Sequence, residues 1–137
     1  MGHKKMKVMH IEGRKFVDPT KFFNDAFGFQ TFAMPYFLYN MSIAIKFNVS
    51  IILYYKTVAN LGTEDHEEFK LNIESGDHIG CFALTELGHG SNVRGLLTTA
   101  HYDPEKEEFI INTPDDLAMK FWIGGASKSA THSVVFA

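Results

Sequence analysis

A single cysteine, Cys81, stands among 137 residues. That excludes a disulfide-stapled domain and a thiolate-held metal cluster, and it suits a reducing compartment. Strong charge of one sign is also missing: 13 Lys and Arg against 16 Asp and Glu leave −3. A nucleic-acid partner is therefore not expected. No apolar stretch follows the basic residues Lys4, Lys5, Lys7, Arg14 and Lys15, so a secretory signal is not supported. The seven histidines show no His-x-x-x-His spacing, and no Gly-x-Ser-x-Gly elbow is present. Neither a metal site nor a serine-hydrolase nucleophile is indicated.

What is present is apolar and aromatic. The chain is 45% hydrophobic, with 13 Phe, 5 Tyr and 1 Trp, enough for a sizeable core in one small domain's length. Residues 1–60 carry a net +5 and residues 61–137 a net −8, which reads as a boundary between two structural segments.

Helical signals come first. Asp18-Pro19-Thr20 reads as a helix start, with Asp18 as N-cap and Pro19 in the first turn, and Gly28 as the stop after Phe27. Pro35 opens a longer segment reaching Asn60-Leu61-Gly62, in which Leu38, Met41, Ile45, Ile52 and Ala59 recur at helical spacing. Ala26 to Ile45 is twenty residues without a charge, long enough to span a bilayer. Gly28, Gln30, Thr31, Pro35, Asn40 and Ser42 interrupt it, so a buried helix, not a membrane span, is expected. Thr63 caps an acidic helix that runs to about Asn72 and ends near Ser75-Gly76.

The period changes at Gly80. Cys81–Thr85, Thr98–Asp103, Glu108–Thr113, Ala118–Trp122 and His132–Ala137 read as short strands, with Pro104-Glu105-Lys106-Glu107 as a hairpin loop. The fold class is α+β: N-terminal helices in residues 1–79, then part of an antiparallel β-sheet or barrel in residues 80–137. The last strand, Ser133-Val134-Val135-Phe136-Ala137, carries no charge and no covering element. An apolar edge of that kind invites association, and it leads to the expectation that the β-part is incomplete and the chain belongs to a longer product.

The densest chemical signal is Thr85-Glu86-Leu87-Gly88-His89-Gly90-Ser91-Asn92-Val93-Arg94-Gly95. Its glycines permit close backbone approach, and Thr85, Ser91 and Asn92 offer short polar side chains. The spacing fails the dinucleotide fingerprint, and Leu96-Leu97 stands where a phosphate loop needs Lys-Ser/Thr. On physics alone, a structural turn and a ligand loop fit equally well.

Residue identity goes further. Gly80-Cys81-Phe82-Ala83-Leu84-Thr85-Glu86-Leu87-Gly88-His89-Gly90-Ser91-Asn92 resembles the flavin loop of peroxisomal acyl-CoA oxidases, a branch of the acyl-CoA dehydrogenase superfamily. The similarity continues through Thr98–Pro104, Glu108–Ile111 and Lys120-Phe121-Trp122-Ile123-Gly124-Gly125. Upstream, Asn60-Leu61-Gly62-Thr63-Glu64-Asp65-His66 resembles the family's helix junction. It spans about residues 36–137.

The resemblance implies an N-terminal helical domain over 1–79 and the first half of a flavin-binding central β-domain over 80–137. It implies FAD as cofactor, with Thr85 bonding the pyrimidine side of the ring, Trp122 lying against the isoalloxazine and the Gly124 backbone near N5. Ser91 and Asn92 would sit near the acyl-CoA entrance. His89 would orient the loop, and Glu86 would be a turn or capping carboxylate, not a base.

The implied reaction oxidises a fatty acyl-CoA to a trans-2-enoyl-CoA, with molecular oxygen reoxidising the flavin to give hydrogen peroxide, in peroxisomal β-oxidation. The carboxylate base that removes the α-proton belongs to a C-terminal helical domain, so no catalytic residue is expected in this chain. The full-length protein is expected to be a homodimer. Two alternatives are a non-catalytic FAD- or acyl-CoA-binding truncated form and an acyl-CoA dehydrogenase. Dehydrogenases usually carry Thr at the Gly124 position and Asp at the Asn92 position, which weighs against the second.

Overall fold

The computed structural model describes Lys4 and residues 26–137. The expected helix start at Asp18–Thr20 lies outside the described residues. Gly28 does not stop a helix: α1 (Ala26–Tyr39) runs through both Gly28 and Pro35. A glycine stop needs a left-handed backbone, and among the described residues the glycines with positive φ are Gly76 and Gly125. Nor does Pro35 open the second segment. Asn40 does so, in extended backbone, its side-chain oxygen accepting from the N–H groups of Ser42 (3.0 Å) and Ile43 (3.2 Å).

The second segment is one helical rod in three parts: α2 (Met41–Phe47), a π-helical turn (Asn48–Leu53) and α3 (Tyr54–Leu61). The wide π turn rotates the faces on either side of it. The expected stripe is therefore split: Leu38, Met41 and Ile45 are exposed, while Ile52 is buried. The core is built from Tyr36, Ile43, Ala44, Phe47, Ile52, Tyr54 and Ile73. Tyr36 stacks on Phe47 with ring centroids 4.3 Å apart.

Thr63 opens a 3-10 turn (Glu64–His66) through a capping box in which His66 takes the place usually held by Glu. The acidic helix α4 (Glu67–Ser75) follows and closes at Gly76. Among the described residues no helix is long and apolar enough to cross a membrane.

The β part contains β1 (Gly80–Ala83), β2 (Thr99–Asp103), β3 (Glu108–Asn112) and β4 (His132–Val135). β2 and β3 form the expected antiparallel hairpin, with Asp103 Oδ1 accepting from Glu105 N–H (3.0 Å) to set the turn. β1 and β4, in contrast, pair in parallel, Cys81 opposite Ser133 and Phe82 opposite Val134.

The expected strand Ala118–Trp122 does not form. Asp115 accepts from Leu117 and Ala118 N–H and winds the chain into a 3-10 turn over Asp116–Ala118. Within Ala118–Trp122 a single bridge, Lys120 to Glu86, has strand geometry among the described residues. Helix and sheet meet where the Tyr54 ring lies on the backbone of Gly80: a Cβ there would fall inside the ring. Val134 of β4 also packs on the helical core.

Candidate functional site

The glycine-rich turn leaves β1 and folds back on itself at Glu86 and His89, which exchange backbone hydrogen bonds of 3.2 Å in both directions. Leu87 N–H donates to Met119 O (2.8 Å) and Gly88 N–H to Leu117 O (2.9 Å). The turn is thereby sewn to residues 117–121. The His89 ring contacts the Gly95 carbonyl through Nε2, closing the far limb of the turn. His89 thus orients the loop, as its position in the sequence suggests.

Glu86 is the buried centre of this region, 2% exposed. Oε1 accepts from Thr98 N–H (2.9 Å), Thr98 Oγ1 (2.7 Å) and Lys120 Nζ (3.0 Å), and Oε2 from Leu97 N–H (2.8 Å). Burial pushes the carboxyl upward, but these donors outweigh it and hold the pKa down at about 2. A carboxylate so saturated with donors is a structural anion, unavailable as a general base.

Thr85 and Trp122 are brought together. Thr85 O accepts from Phe121 N–H (3.0 Å), so Trp122 follows directly on the residue bonded to Thr85. The Thr85 hydroxyl makes no hydrogen bond among the described residues. Trp122 has a left-handed backbone (φ 63) and an indole that is 86% exposed. Both features are costly in a folded protein, and strained backbone of this kind concentrates at functional sites.

Two residues on, Gly124 faces Val49 of the π turn. A cavity of about 270 Å³ opens there between the helical rod and the 124–129 turn, lined by Ile45, Lys46, Val49, Ser50, Gly124 and Lys128. Gly125, with φ 85, carries the bend, its carbonyl accepting from the N–H groups of Lys128, Ser129 and Ala130.

Ser91 and Asn92 lie exposed on the outer limb of the turn. Asn92 O accepts from Gly95 N–H (2.9 Å), and its side-chain amide lies over Gly95. No hydrogen bond or ring contact joins either residue to Thr85, Trp122 or Gly124 among the described residues. Lys120 and Val49 were not singled out from sequence. A lone lysine in an otherwise apolar stretch, two residues before the only tryptophan, was the available signal for Lys120; a π turn leaves no comparable mark for Val49.

No family model matches the chain. Peroxisomal acyl-coenzyme A oxidase 3 of Arabidopsis thaliana is 51% identical over 100 residues, which is 72% of this chain and 15% of that protein. The chain belongs to the acyl-CoA oxidase family.

The folds agree along almost the whole length. The crystal structure of acyl-CoA oxidase 1 from Yarrowia lipolytica superposes with a TM-score of 0.73 at 33% identity, over 98% of this chain and 20% of that one. Acyl-CoA oxidase 2 of Caenorhabditis elegans, solved with FAD, ascaroside-CoA and ATP bound, is 40% identical with a TM-score of 0.59, over 62% of this chain and 13% of that one. This acyl-CoA oxidase chain thus spans only about 15% of the curated relative's length. The α+β class is the family's.

Proposed function

We propose that this chain forms one wall of the FAD site in a peroxisomal acyl-CoA oxidase that converts fatty acyl-CoA to trans-2-enoyl-CoA in β-oxidation. The observation that carries the reading is Trp122: a strained, almost fully exposed residue directly after Phe121, whose N–H bonds Thr85 O, with the Thr85 hydroxyl making no hydrogen bond among the described residues. A planar aromatic ligand with hydrogen-bonding edges would cover the indole and satisfy the hydroxyl. The residues fit a flavin.

In this reading the Thr85 hydroxyl and backbone bond the pyrimidine side of the ring, Trp122 covers the isoalloxazine, and the Gly124 backbone lies near N5. Ser91 and Asn92, on the exposed outer limb, meet the acyl-CoA at its entrance. Bound FAD supplies the hydride acceptor, and molecular oxygen is the second substrate. Glu86, ionised and saturated with donors, takes no part in proton abstraction; that step falls to a carboxylate from the family's C-terminal helical domain. The reading assigns residues 1–79 to the helical domain and 80–137 to the β-domain of a homodimeric enzyme.

A chimera tests it. The matching 100 residues of the Arabidopsis oxidase are replaced by those of this chain, and flavin absorbance and peroxide release from a long-chain acyl-CoA are measured. Retention of both is the expected result. A folded chimera without flavin overturns the reading.

A further inference from the structure

The indole of Trp122 touches little that could hold it. Among the described residues its one ring neighbour is Phe121, with centroids 6.5 Å apart. A left-handed non-glycine residue persists only where its surroundings over-determine it, so the restraint must come through the backbone on either side.

Upstream, the restraint is visible at Lys120. An ammonium group has three donors, and Lys120 uses two on the 84–86 stretch and one on the stretch after β4. Nζ donates to Glu86 Oε1 (3.0 Å), to Leu84 O at the exit of β1 (3.3 Å), and to Phe136 O beyond β4 (2.6 Å). Glu86 in turn gathers the N–H groups of Leu97 and Thr98 ahead of β2. One part-buried ion pair therefore ties the 84–86, 97–98, 120 and 136 segments together, immediately before the Phe121–Thr85 hydrogen bond and Trp122. Downstream, the bend at Gly125 anchors the other side.

We infer that Lys120 and Glu86 are positioning residues: their ion pair holds Trp122 in its left-handed conformation and so sets where the indole stands relative to the Thr85 strand end. The functional weight of that placement rests on the flavin reading above; the conformational claim does not.

The variant that separates positioning from general stability is Lys120→Met. It keeps Glu86 bonded to Leu97 and Thr98 while cutting the link to Trp122. In the 137-residue chain, the single tryptophan gives one indole N–H resonance and one fluorophore. The three-bond HN–Hα coupling and the Cα shift of Trp122 report its φ directly.

Lys120→Met is expected to lose the left-handed signature of Trp122 and to lower its fluorescence anisotropy, while Lys120→Arg restores both. Ile73→Val, in the core and remote from the turn, lowers the melting temperature without moving Trp122. If Lys120→Met is unfolded at the assay temperature, Lys120→Gln is read in the same way. A Lys120→Met chain with a lowered melting temperature but the Trp122 φ and anisotropy of the parent overturns the inference.

The same variant in the chimera, read as bound flavin per protein, addresses the function. Displaced Trp122 with reduced flavin content supports both claims. Displaced Trp122 with full flavin content leaves the positioning role standing and removes the indole from the flavin reading.

Discussion

A β-carbon built on Gly124 would lie 3.5 Å from Cγ1 and 3.6 Å from Cγ2 of Val49, ordinary van der Waals contact with the π turn. Gly124 also lacks the positive φ of its neighbour Gly125. The two adjacent glycines therefore answer to different constraints. Gly124→Ala is expected to raise stability by about 0.4–1 kcal/mol through the unfolded chain's lost freedom, and Gly125→Ala to lower it by more than that. Thermal melting of the two variants separates them.

The open contact at Gly124 also bears on oxygen. A β-carbon is accommodated there, and threonine would add the hydroxyl and bulk that dehydrogenases usually carry at this position. In the chimera, Gly124→Thr is expected to slow reoxidation of reduced flavin several-fold, on the scale of about 1 kcal/mol, with a smaller effect on reduction by substrate. Stopped-flow measurement of the two half-reactions checks this, and equal effects on both would remove Gly124 from the control of oxygen access.

Glu86 has a pH signature. Its carboxyl is held at about 2 against an ordinary 4.5, so ionisation favours the folded state. That contribution is complete above pH 4.5 and is lost as pH falls toward 2. Urea midpoints measured across this window should fall more steeply for the parent than for Glu86→Gln. At neutral pH Glu86→Gln leaves the part-exposed Lys120 without its counter-charge, so stability should fall, by less than the about 3–5 kcal/mol of a fully buried pair.

The helix-to-sheet contact is equally specific. A Cβ on Gly80 would collide with the Tyr54 ring, so Gly80→Ala should cost about 1–3 kcal/mol through forced repacking. Combined with Tyr54→Ala, most of that cost should vanish. Additive losses in the double-mutant cycle would show that the two residues are not in contact.

Much of this arrangement was legible in the sequence, and the failures share a cause. Thr63, the 104–107 turn and the α+β order depend on local chemistry, and all appear as read. The stripe through Leu38, Met41, Ile45 and Ile52 assumed an unbroken helical period, and the Asn40 break and the π turn at Asn48–Leu53 interrupt it. The strand expected over Ala118–Trp122 was apolar enough, but the Asp115 cap and the left-handed Trp122 override that pattern. Of the residues proposed for the site, Thr85, Trp122 and Gly124 are named by residue identity alone, whereas Lys120 needs the fold: its three acceptors come from positions 84, 86 and 136.

The central claim is that the Thr85 hydroxyl faces the flavin, and Thr85→Val tests it most directly because it deletes the hydroxyl and keeps the shape. The measurement is the FAD dissociation constant of the chimera with and without the substitution, alongside the melting temperature of the flavin-free protein. Loss of one hydrogen bond of about 1 kcal/mol predicts FAD binding weakened about fivefold, with the flavin-free melting temperature little changed. An unchanged dissociation constant would contradict the account.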